Sequence, residues 1–321
     1  MRIVVLDGHT LNPGDNPWTA LENLGEFTVY DRTPAGEVVN RAKGAEVILV
    51  NKVRLTRDVL AALPDLKYIG VLATGYDVVD ISAAAERGIP VCNIPAYGSQ
   101  AVAQHVFAMF LALCRRVEAH AAGVALGRWG RAEDWTYWDF PQVGFAGKTM
   151  GIVGFGAIGG HVGKIASAFG MDVMGYTQGP RRDPGFAPFR YVDSVEEIFG
   201  QADFITLHCP LTPENRGFVD SGMLGRMKPS AYLVNTARGP LINEKDLATA
   251  LTTHSIAGAG LDVMAVEPPD NDNPLLSLPN CLITPHVAWA ALEARKNLMN
   301  TAAENVAAWA AGTPQNVVNG V

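Results

Sequence analysis

The stretch that most constrains the fold of this chain is 148–163, where a short apolar run leads into Gly154-Phe-Gly156-Ala-Ile-Gly159 and then into a helical pattern. A strand, a glycine turn and a helix N-terminus in this order form a geometry that cradles a pyrophosphate. Gly154 permits the tight turn, Gly156 lets the backbone approach the phosphates, and Gly159 lets the helix pack closely on the strand. Plain strand–helix connections also use glycine turns, so the interpretation depends on the rest of the chain.

Length and composition predict a large protein of two domains. The chain has 321 residues, which is more than most single domains contain, and 48% of them are hydrophobic and 18% are charged. The formal net charge of -7 argues against a polyanionic partner such as nucleic acid, although acidic charge also serves solubility. No apolar run approaches the length of a transmembrane helix, so we expect no membrane partner.

The N-terminal stretch and the cysteines point to a cytoplasmic protein. Residues 1–7 carry one basic residue and a very short apolar run, so we expect no signal peptide. The four cysteines are scattered without a CxxC pair, which favours reduced thiols and argues against a metal site.

Strand and helix patterns alternate along the chain, which predicts an α/β fold with two doubly wound parallel sheets. Buried strands are predicted at 2–7, 46–50, 66–72, 90–93, 149–154, 172–176, 203–207, 231–235, 258–263 and 281–284. Helices are predicted at 56–63, 80–87, about 100–117, 157–168, 244–251 and about 290–310, with Thr56 and Asp80 as N-caps. A Trp- and Gly-rich excursion at 123–147 is either a subunit contact or local packing over a loop.

Three polar groups follow predicted strands of the second unit, at the edge where ligands bind in doubly wound sheets. Arg238, within 235–239, carries a guanidinium that can hold a carboxylate through two hydrogen bonds. Glu267 precedes two prolines in a stiff loop, and His286 follows the last strand, where an imidazole can act as a general acid–base. Each of them, taken alone, also fits an ordinary surface or structural role.

The order of these motifs resembles the D-isomer-specific 2-hydroxyacid dehydrogenase family. The resemblance covers almost the whole chain and is carried by the glycine loop, Asn235-Thr-Ala-Arg238-Gly, Asp262 with Glu267-Pro-Pro, Thr284-Pro-His286, His208-Cys-Pro210-Leu-Thr212 and Ala73-Thr-Gly-Tyr-Asp77. Within the family, the chain is most similar to glycerate dehydrogenases and hydroxypyruvate (glyoxylate) reductases. That similarity is carried by Val71-Leu-Ala-Thr-Gly-Tyr, Asn93-Ile-Pro-Ala-Tyr-Gly and Tyr137-Trp-Asp.

This resemblance implies a Rossmann-type cofactor domain, residues 99–286, inserted into a flavodoxin-like substrate domain formed by 1–98 and 287–321. It implies reduction of a small 2-oxo acid, hydroxypyruvate or glyoxylate, to the D-2-hydroxy acid with NAD(P)H. It also implies a homodimer built through the second domain.

The resemblance also implies roles for the site residues. Arg238 would bind the substrate carboxylate and polarise the 2-oxo group, His286 would give a proton to the carbonyl oxygen, and Glu267 would orient the ring. Ala73, Thr74 and Gly75 would clamp the carboxylate from the first domain, and Asp262 would hydrogen-bond the nicotinamide carboxamide. The residues expected to contact the cofactor are Val102, Gly154, Phe155, Gly156, Ala157, Ile158, Gly159, Thr177, Arg181, Arg182, His208, Cys209, Pro210, Thr236, Ala237, Arg238, Asp262, His286 and Ala288.

Two positions depart from the common pattern. A Rossmann strand usually ends in an acid that holds the ribose 2′-hydroxyl, whereas here Thr177 follows the strand and Arg181 and Arg182 come next. We predict a preference for NADP(H), with solvated arginines and NAD(H) binding as the alternative. Gln104 stands where many relatives carry an acid on the linking helix, and the sequence offers no account of its effect.

Other functions remain open at this point. One alternative is a member of the same family that acts on another 2-oxo acid, such as the one that gives D-lactate, or on phosphite. A formate dehydrogenase is disfavoured, because that branch pairs its His with Gln and this chain has Glu267. The alternative from another class is an NAD(H)-sensing binding protein similar to the family's corepressors, which also retain the three site residues.

Overall fold

The computed structural model describes all residues from 1 to 321, and the chain forms two compact units. Unit 1 consists of Met1–Gly98 together with Trp289–Val321, and unit 2 consists of Ser99–Ala288. Which unit binds substrate and which binds cofactor stays a prediction at this stage.

Unit 1 is built on a five-stranded parallel sheet with the strand order β2-β1-β3-β4-β5. Its strands are β1 (Arg2–Val5), β2 (Glu26–Val29), β3 (Val47–Val50), β4 (Tyr68–Val71) and β5 (Val91–Cys92). Its helices are α1 (Thr19–Glu22), α2 (Val38–Ala42), α3 (Arg57–Ala61), α4 (Ile81–Glu86) and α11 (Leu292–Ala310), with a 3₁₀ turn at Ala35–Glu37. Thr56 and Asp80 cap α3 and α4 through their side chains, as predicted.

Unit 2 is built on a seven-stranded parallel sheet with the order β12-β11-β10-β9-β6-β7-β8. Its strands are β6 (Thr149–Val153), β7 (Asp172–Tyr176), β8 (Phe189–Tyr191), β9 (Phe204–Leu207), β10 (Tyr232–Asn235), β11 (Gly258–Leu261) and β12 (Cys281–Ile283). Its helices are α5 (Ser99–Arg115), α6 (Val117–Ala125), α7 (Ala157–Ala168), α8 (Val195–Gln201), α9 (Ser221–Leu224) and α10 (Glu244–Thr252). Shorter 3₁₀ turns lie at Trp129–Arg131, Gly239–Leu241 and Pro274–Ser277.

Both sheets are apolar on both faces, because helices cover each side. In unit 1, the sheet residues Ile3, Val5 and Tyr68 pack in one cluster with Leu298 and Val306 of α11. The opposite face of that sheet forms a second cluster with helices α2, α3 and α4. In unit 2, α5 and α7 pack on one face of the sheet, and α8 and α10 lie on the other.

The predicted α/β class with two doubly wound parallel sheets is confirmed. In unit 2 the strand order reverses between β6 and β9, which creates the crevice where such sheets bind ligands. Two strands were missed, β2 and β8. Both lie at an edge of their sheet and are only partly buried, so they lack the continuous apolar run of a central strand. None of the helices combines the length and the apolar character that a membrane span needs.

Candidate active site

The predicted site residues of unit 2 lie in the loops that follow the carboxyl ends of its parallel strands. The glycine loop follows β6, His208 follows β9, Arg238 follows β10, and His286 follows β12. Because these strands are neighbours in one parallel sheet, their carboxyl ends share one edge. The sheet therefore gathers residues that are far apart in sequence along a single edge.

The glycine loop is shaped by contacts that leave no room for side chains. Gly154 has φ +99°, and a Cβ built on it would lie 2.5 Å from the Cys209 nitrogen. A Cβ on Gly159 would lie 2.5 Å from the Gly154 carbonyl oxygen, so α7 packs directly on the turn. Around Gly156, the residue that precedes α7, a Cβ would meet nothing within 4 Å. The helix N-terminus thus faces open space beside a tightly closed turn, as an anion site requires.

His208 packs directly against the glycine loop. Its backbone N–H donates to the Val153 carbonyl at 2.7 Å, and its ring Nε2 lies 3.0 Å from the Thr206 hydroxyl. Burial lowers the pKa of the His208 ring to about 3, so the ring is neutral at physiological pH. His208 Nδ1 and the Thr236 hydroxyl are buried without a hydrogen-bond partner in the chain.

Of the two arginine side chains that follow β7, one is hydrogen-bonded within the chain and the other is not. Arg181 donates through Nη2 to the Val192 carbonyl at 3.0 Å and to Asp193 Oδ1 at 2.6 Å. The backbone of Arg182 exchanges two hydrogen bonds with the Tyr191 hydroxyl, while its exposed side chain has no partner. The Thr177 hydroxyl accepts from the Gly179 N–H at 3.1 Å. Of the two arginines, Arg182 is therefore the one whose cation is free.

Arg238 is held in a loop that Asn235 shapes. The buried Asn235 side chain donates to the Arg238 carbonyl at 2.9 Å and accepts from the Ala237 N–H at 3.0 Å. The Arg238 guanidinium is half-buried and donates to the Ala237 carbonyl, and no carboxylate of the chain pairs with it. A Cβ on Gly239 would lie 1.9 Å from the Met264 carbonyl carbon, so the Arg238 loop packs directly on the loop that carries Glu267.

Glu267 and His286 form an ion-pair geometry. Glu267 Oε2 lies 2.7 Å from His286 Nδ1, and Glu267 Oε1 accepts from the Met264 N–H at 3.0 Å. The two side chains are 38% and 29% exposed, so the pair is accessible from solvent. His286 has φ +55°, a left-handed conformation that is uncommon for a side chain of this size. Because Glu267 contacts Nδ1 of the His286 ring, Nε2 is the ring nitrogen on the side away from Glu267.

Asp262 holds the backbone that follows His286. Its Oδ1 accepts from the Val287 N–H at 2.8 Å and from the Thr284 hydroxyl at 2.6 Å, and its Oδ2 accepts from the Ala288 N–H at 2.9 Å. The Asp262 side chain is completely buried. Its predicted contact with a carboxamide is untested and stays a prediction.

Ala73, Thr74 and Gly75 lie in unit 1, in the loop after β4. The Ala73 carbonyl accepts from the Ile94 N–H, and the Thr74 hydroxyl donates to the Ile94 carbonyl at 2.8 Å. The backbone N–H groups of Thr74 and Gly75 donate to no group in the chain. Two adjacent free amides suit a carboxylate.

Helix α5 contributes a residue that the sequence reasoning missed. Val102 is buried and Gln104 is exposed without a partner, but His105 Nε2 lies 3.0 Å from the Thr284 hydroxyl and 3.6 Å from Asp262 Oδ1. The available signal was a His beside the apolar stripe of a long helix, and that signal alone does not point to residues more than 150 positions away.

Comparisons with known proteins agree on one family. The family model described as "D-isomer specific 2-hydroxyacid dehydrogenase, NAD binding domain" matches residues 107–288. A hydroxypyruvate reductase from Blautia hydrogenotrophica is 46% identical over 99% of this chain and 100% of its own length. A glycerate dehydrogenase from Methylorubrum extorquens is 44% identical over 91% of this chain and 92% of its own. The solved structure of an acyclic imino acid reductase in complex with NADPH and D-Arg is similar with a TM-score of 0.87 and 32% identity, covering 99% of this chain and 100% of that one.

Proposed function

The chain belongs to the D-isomer-specific 2-hydroxyacid dehydrogenase family, and from this premise we propose that it reduces hydroxypyruvate or glyoxylate to the D-2-hydroxy acid with His286 as the acid–base. It is an NAD(P)-dependent oxidoreductase that acts on the CH–OH group of 2-hydroxy acids. The substrate proposal is supported by relatives named hydroxypyruvate reductase and glycerate dehydrogenase at 46% and 44% identity.

The proposed mechanism rests on the Glu267–His286 contact of 2.7 Å, together with an Arg238 that has no carboxylate partner and whose loop packs on the loop of Glu267. Arg238 would bind the substrate carboxylate and polarise the 2-oxo group, since a guanidinium offers two parallel donors. His286 Nε2 would give its proton to the carbonyl oxygen as that atom gains electrons. Glu267 would hold Nδ1, orient the ring and stabilise the positive charge on it.

The carboxyl edge of the unit 2 sheet fits a dinucleotide. The Gly154–Gly159 turn is too tight for side chains and faces open space at the start of α7, where amide N–H groups can receive a pyrophosphate. The unpartnered His208 Nδ1 and Thr236 hydroxyl lie at the same edge. When bound, the nicotinamide cofactor supplies the hydride that reduces the carbonyl carbon. Of the remaining residues, Ala288 would border the cofactor, and Ala73, Thr74 and Gly75 of unit 1 would clamp the substrate carboxylate.

We propose that the chain prefers NADP(H) over NAD(H), on the basis of the segment after β7. It has Thr177 in place of an acid, and the free cation of Arg182 can receive a 2′-phosphate. Arg181 is tied to Asp193, but that carboxylate is 93% exposed, and an exposed pair is weak enough to open for a ligand. Arg182→Ala should weaken NADPH binding far more than NADH binding, and Arg181→Ala should have a smaller effect of the same kind, because Arg181 must first leave Asp193. Equal losses of both cofactors in Arg182→Ala would assign Arg182 to the surface.

A homodimer is the proposed assembly, formed through the segment around α6. Leu126 and Trp135 are 76% and 86% exposed there, and Val117 and Trp129 are also exposed. A second copy of this chain would cover these side chains. Light scattering should give twice the chain mass for the wild-type protein and a lower mass for Leu126→Glu, and a monomeric wild-type protein would contradict the assembly.

The first experiment is hydroxypyruvate and glyoxylate reduction by purified protein, with NADPH and NADH measured separately. Turnover with either acid supports the proposed substrate, and faster turnover with NADPH supports the cofactor proposal. Tight NAD(H) binding without turnover of any 2-oxo acid would favour the alternative function, an NAD(H)-sensing binding protein. Phosphite-dependent formation of the reduced cofactor would favour that substrate instead.

His286→Ala provides the test of the mechanism. It should lower turnover by about 100-fold or more and leave cofactor binding intact, because the ring acts on the carbonyl oxygen. Turnover close to that of the wild type would remove His286 from the mechanism.

A further inference from the structure

A second histidine contacts the segment that leads into His286. His105, on α5, places Nε2 3.0 Å from the Thr284 hydroxyl, which lies 2.6 Å from Asp262 Oδ1. The His105 side chain is 21% exposed and the Asp262 side chain is completely buried. The three side chains form one continuous hydrogen-bonded chain that ends at a buried carboxylate.

The direction of this hydrogen-bonded chain follows from counting protons. The Thr284 hydroxyl carries a single hydrogen, and the buried Asp262 carboxylate at 2.6 Å is acceptor-only when ionised, so the hydroxyl donates to it. The oxygen of Thr284 must then accept from His105, which therefore carries a hydrogen on Nε2. His105 thus donates to the Thr284 hydroxyl oxygen, and the hydroxyl donates to Asp262. These two hydrogen bonds fix the orientation of the Thr284 hydroxyl.

The carboxylate at the end of the chain controls the backbone at His286. Asp262 accepts hydrogen bonds from the backbone N–H groups of Val287 and Ala288, the two residues that follow His286. His286 itself is held at φ +55°, a conformation that needs support from its surroundings. A change in the Asp262 carboxylate position is therefore transmitted to the His286 ring.

We propose that His105 is a positioning residue for the reaction, which sets the His286 ring through Thr284 and Asp262. This inference rests on the proposed function of His286 as the acid–base. The donated hydrogen of His105 fixes the Thr284 hydroxyl, the hydroxyl fixes the Asp262 carboxylate, and the carboxylate fixes the backbone that carries His286. Removing the hydrogen leaves the fold intact and loosens the ring.

The test uses two variants of His105 and one of Thr284. His105→Leu removes the donor and keeps the volume, while His105→Gln keeps an N–H at a similar reach. We expect His105→Leu to lower kcat about 10-fold, with the dissociation constant of NADPH within about twofold, and His105→Gln to restore most of kcat. Thr284→Val should cause the same loss as His105→Leu, and the double variant should lose little more.

Three results would overturn the proposal: an unchanged kcat in His105→Leu, equal losses in the Leu and Gln variants, or losses that multiply in the double variant. A wild-type protein without turnover would contradict the proposed function instead. The positioning role is then read without substrate, from the imidazole NMR resonances of His286. His105→Leu should shift them and His105→Gln should not, and resonances unmoved in His105→Leu would refute the role.

Discussion

Replacing Glu267 by Gln removes the charge from the side chain that contacts His286 and keeps its size. The amide oxygen can still accept from the Met264 N–H, a bond of 3.0 Å in the wild-type protein, so the loop should stay in place. The lost interaction is the charge-assisted contact of 2.7 Å to His286 Nδ1. In the variant, an amide N–H faces that nitrogen and favours the neutral ring with its hydrogen on Nε2.

The size of the effect follows from the strength and exposure of this contact. Hydrogen bonds to charged groups contribute about 1.5–3 kcal/mol. Glu267 is 38% exposed, so solvent screening favours the lower part of that range, about 1.5–2 kcal/mol. Glu267 stabilises the imidazolium form of His286 that donates the proton, so the loss of this stabilisation should lower kcat/KM for reduction about 10- to 30-fold.

Glu244→Gln is the matched control. Glu244 accepts from the Ala265 N–H at 2.6 Å and from Asn273 at 2.7 Å, so it supports the same loop without contacting His286. Steady-state reduction of hydroxypyruvate should show kcat/KM within about threefold of the wild type in this control. The reasoning is refuted if Glu267→Gln also stays within that margin, or if both variants lose activity equally.

Three further predictions concern other parts of the site. Gly154→Ala should abolish dinucleotide binding measured by calorimetry, because its Cβ would lie 2.5 Å from backbone atoms at φ +99°; binding at wild-type affinity would contradict the closed turn. Arg238→Lys should raise KM and lower kcat, since a point charge replaces the two-donor fork, and the loss should be smaller than in Arg238→Ala; a normal KM in both would contradict the carboxylate assignment. The third concerns His208, whose folded pKa of about 3 lies below its ordinary 6.5. The unfolded state therefore binds the proton first, and this contribution to stability is lost as the pH falls from about 6.5 towards 3. Denaturant unfolding at several pH values should show a shallower loss of stability in acid for His208→Gln, with a difference of up to about 1.4 kcal/mol per pH unit, and parallel curves would refute the burial argument.

Much of the fold was predictable because the central strands are apolar and clearly bounded. The strand at 172–176 and the helix at 157–168 occur as predicted, because glycines and a polar residue mark their ends. The edge strand β2 (Glu26–Val29) escaped prediction because it carries polar residues and is not covered on both faces. Its pairing with β1 is a tertiary effect that no local pattern records.

The site was predictable in its residue types and not in its connections. Glu267 and His286 were linked through the resemblance; their side chains lie 2.7 Å apart in the structure, and their catalytic roles stay predictions. The role of His105 depends on a hydroxyl 179 positions away, and the pairing of Arg181 with Asp193 depends on a turn whose shape the sequence does not reveal. Contacts between distant side chains are set by how helices pack on the sheet, and a single sequence does not report that packing.

Unit 1 is discontinuous in sequence, and this has a consequence for how the protein is synthesised. The sheet residues Ile3, Val5 and Tyr68 emerge first, but α11, which packs on their face of the sheet, is translated only after all of residues 99–288. At ribosomal rates of about 5–20 residues per second, that interval lasts about 10 to 40 s. During this time only the short α1 is available to pack on this face of the sheet, so the hydrophobic cluster of unit 1 is completed only after the whole of unit 2 has been synthesised.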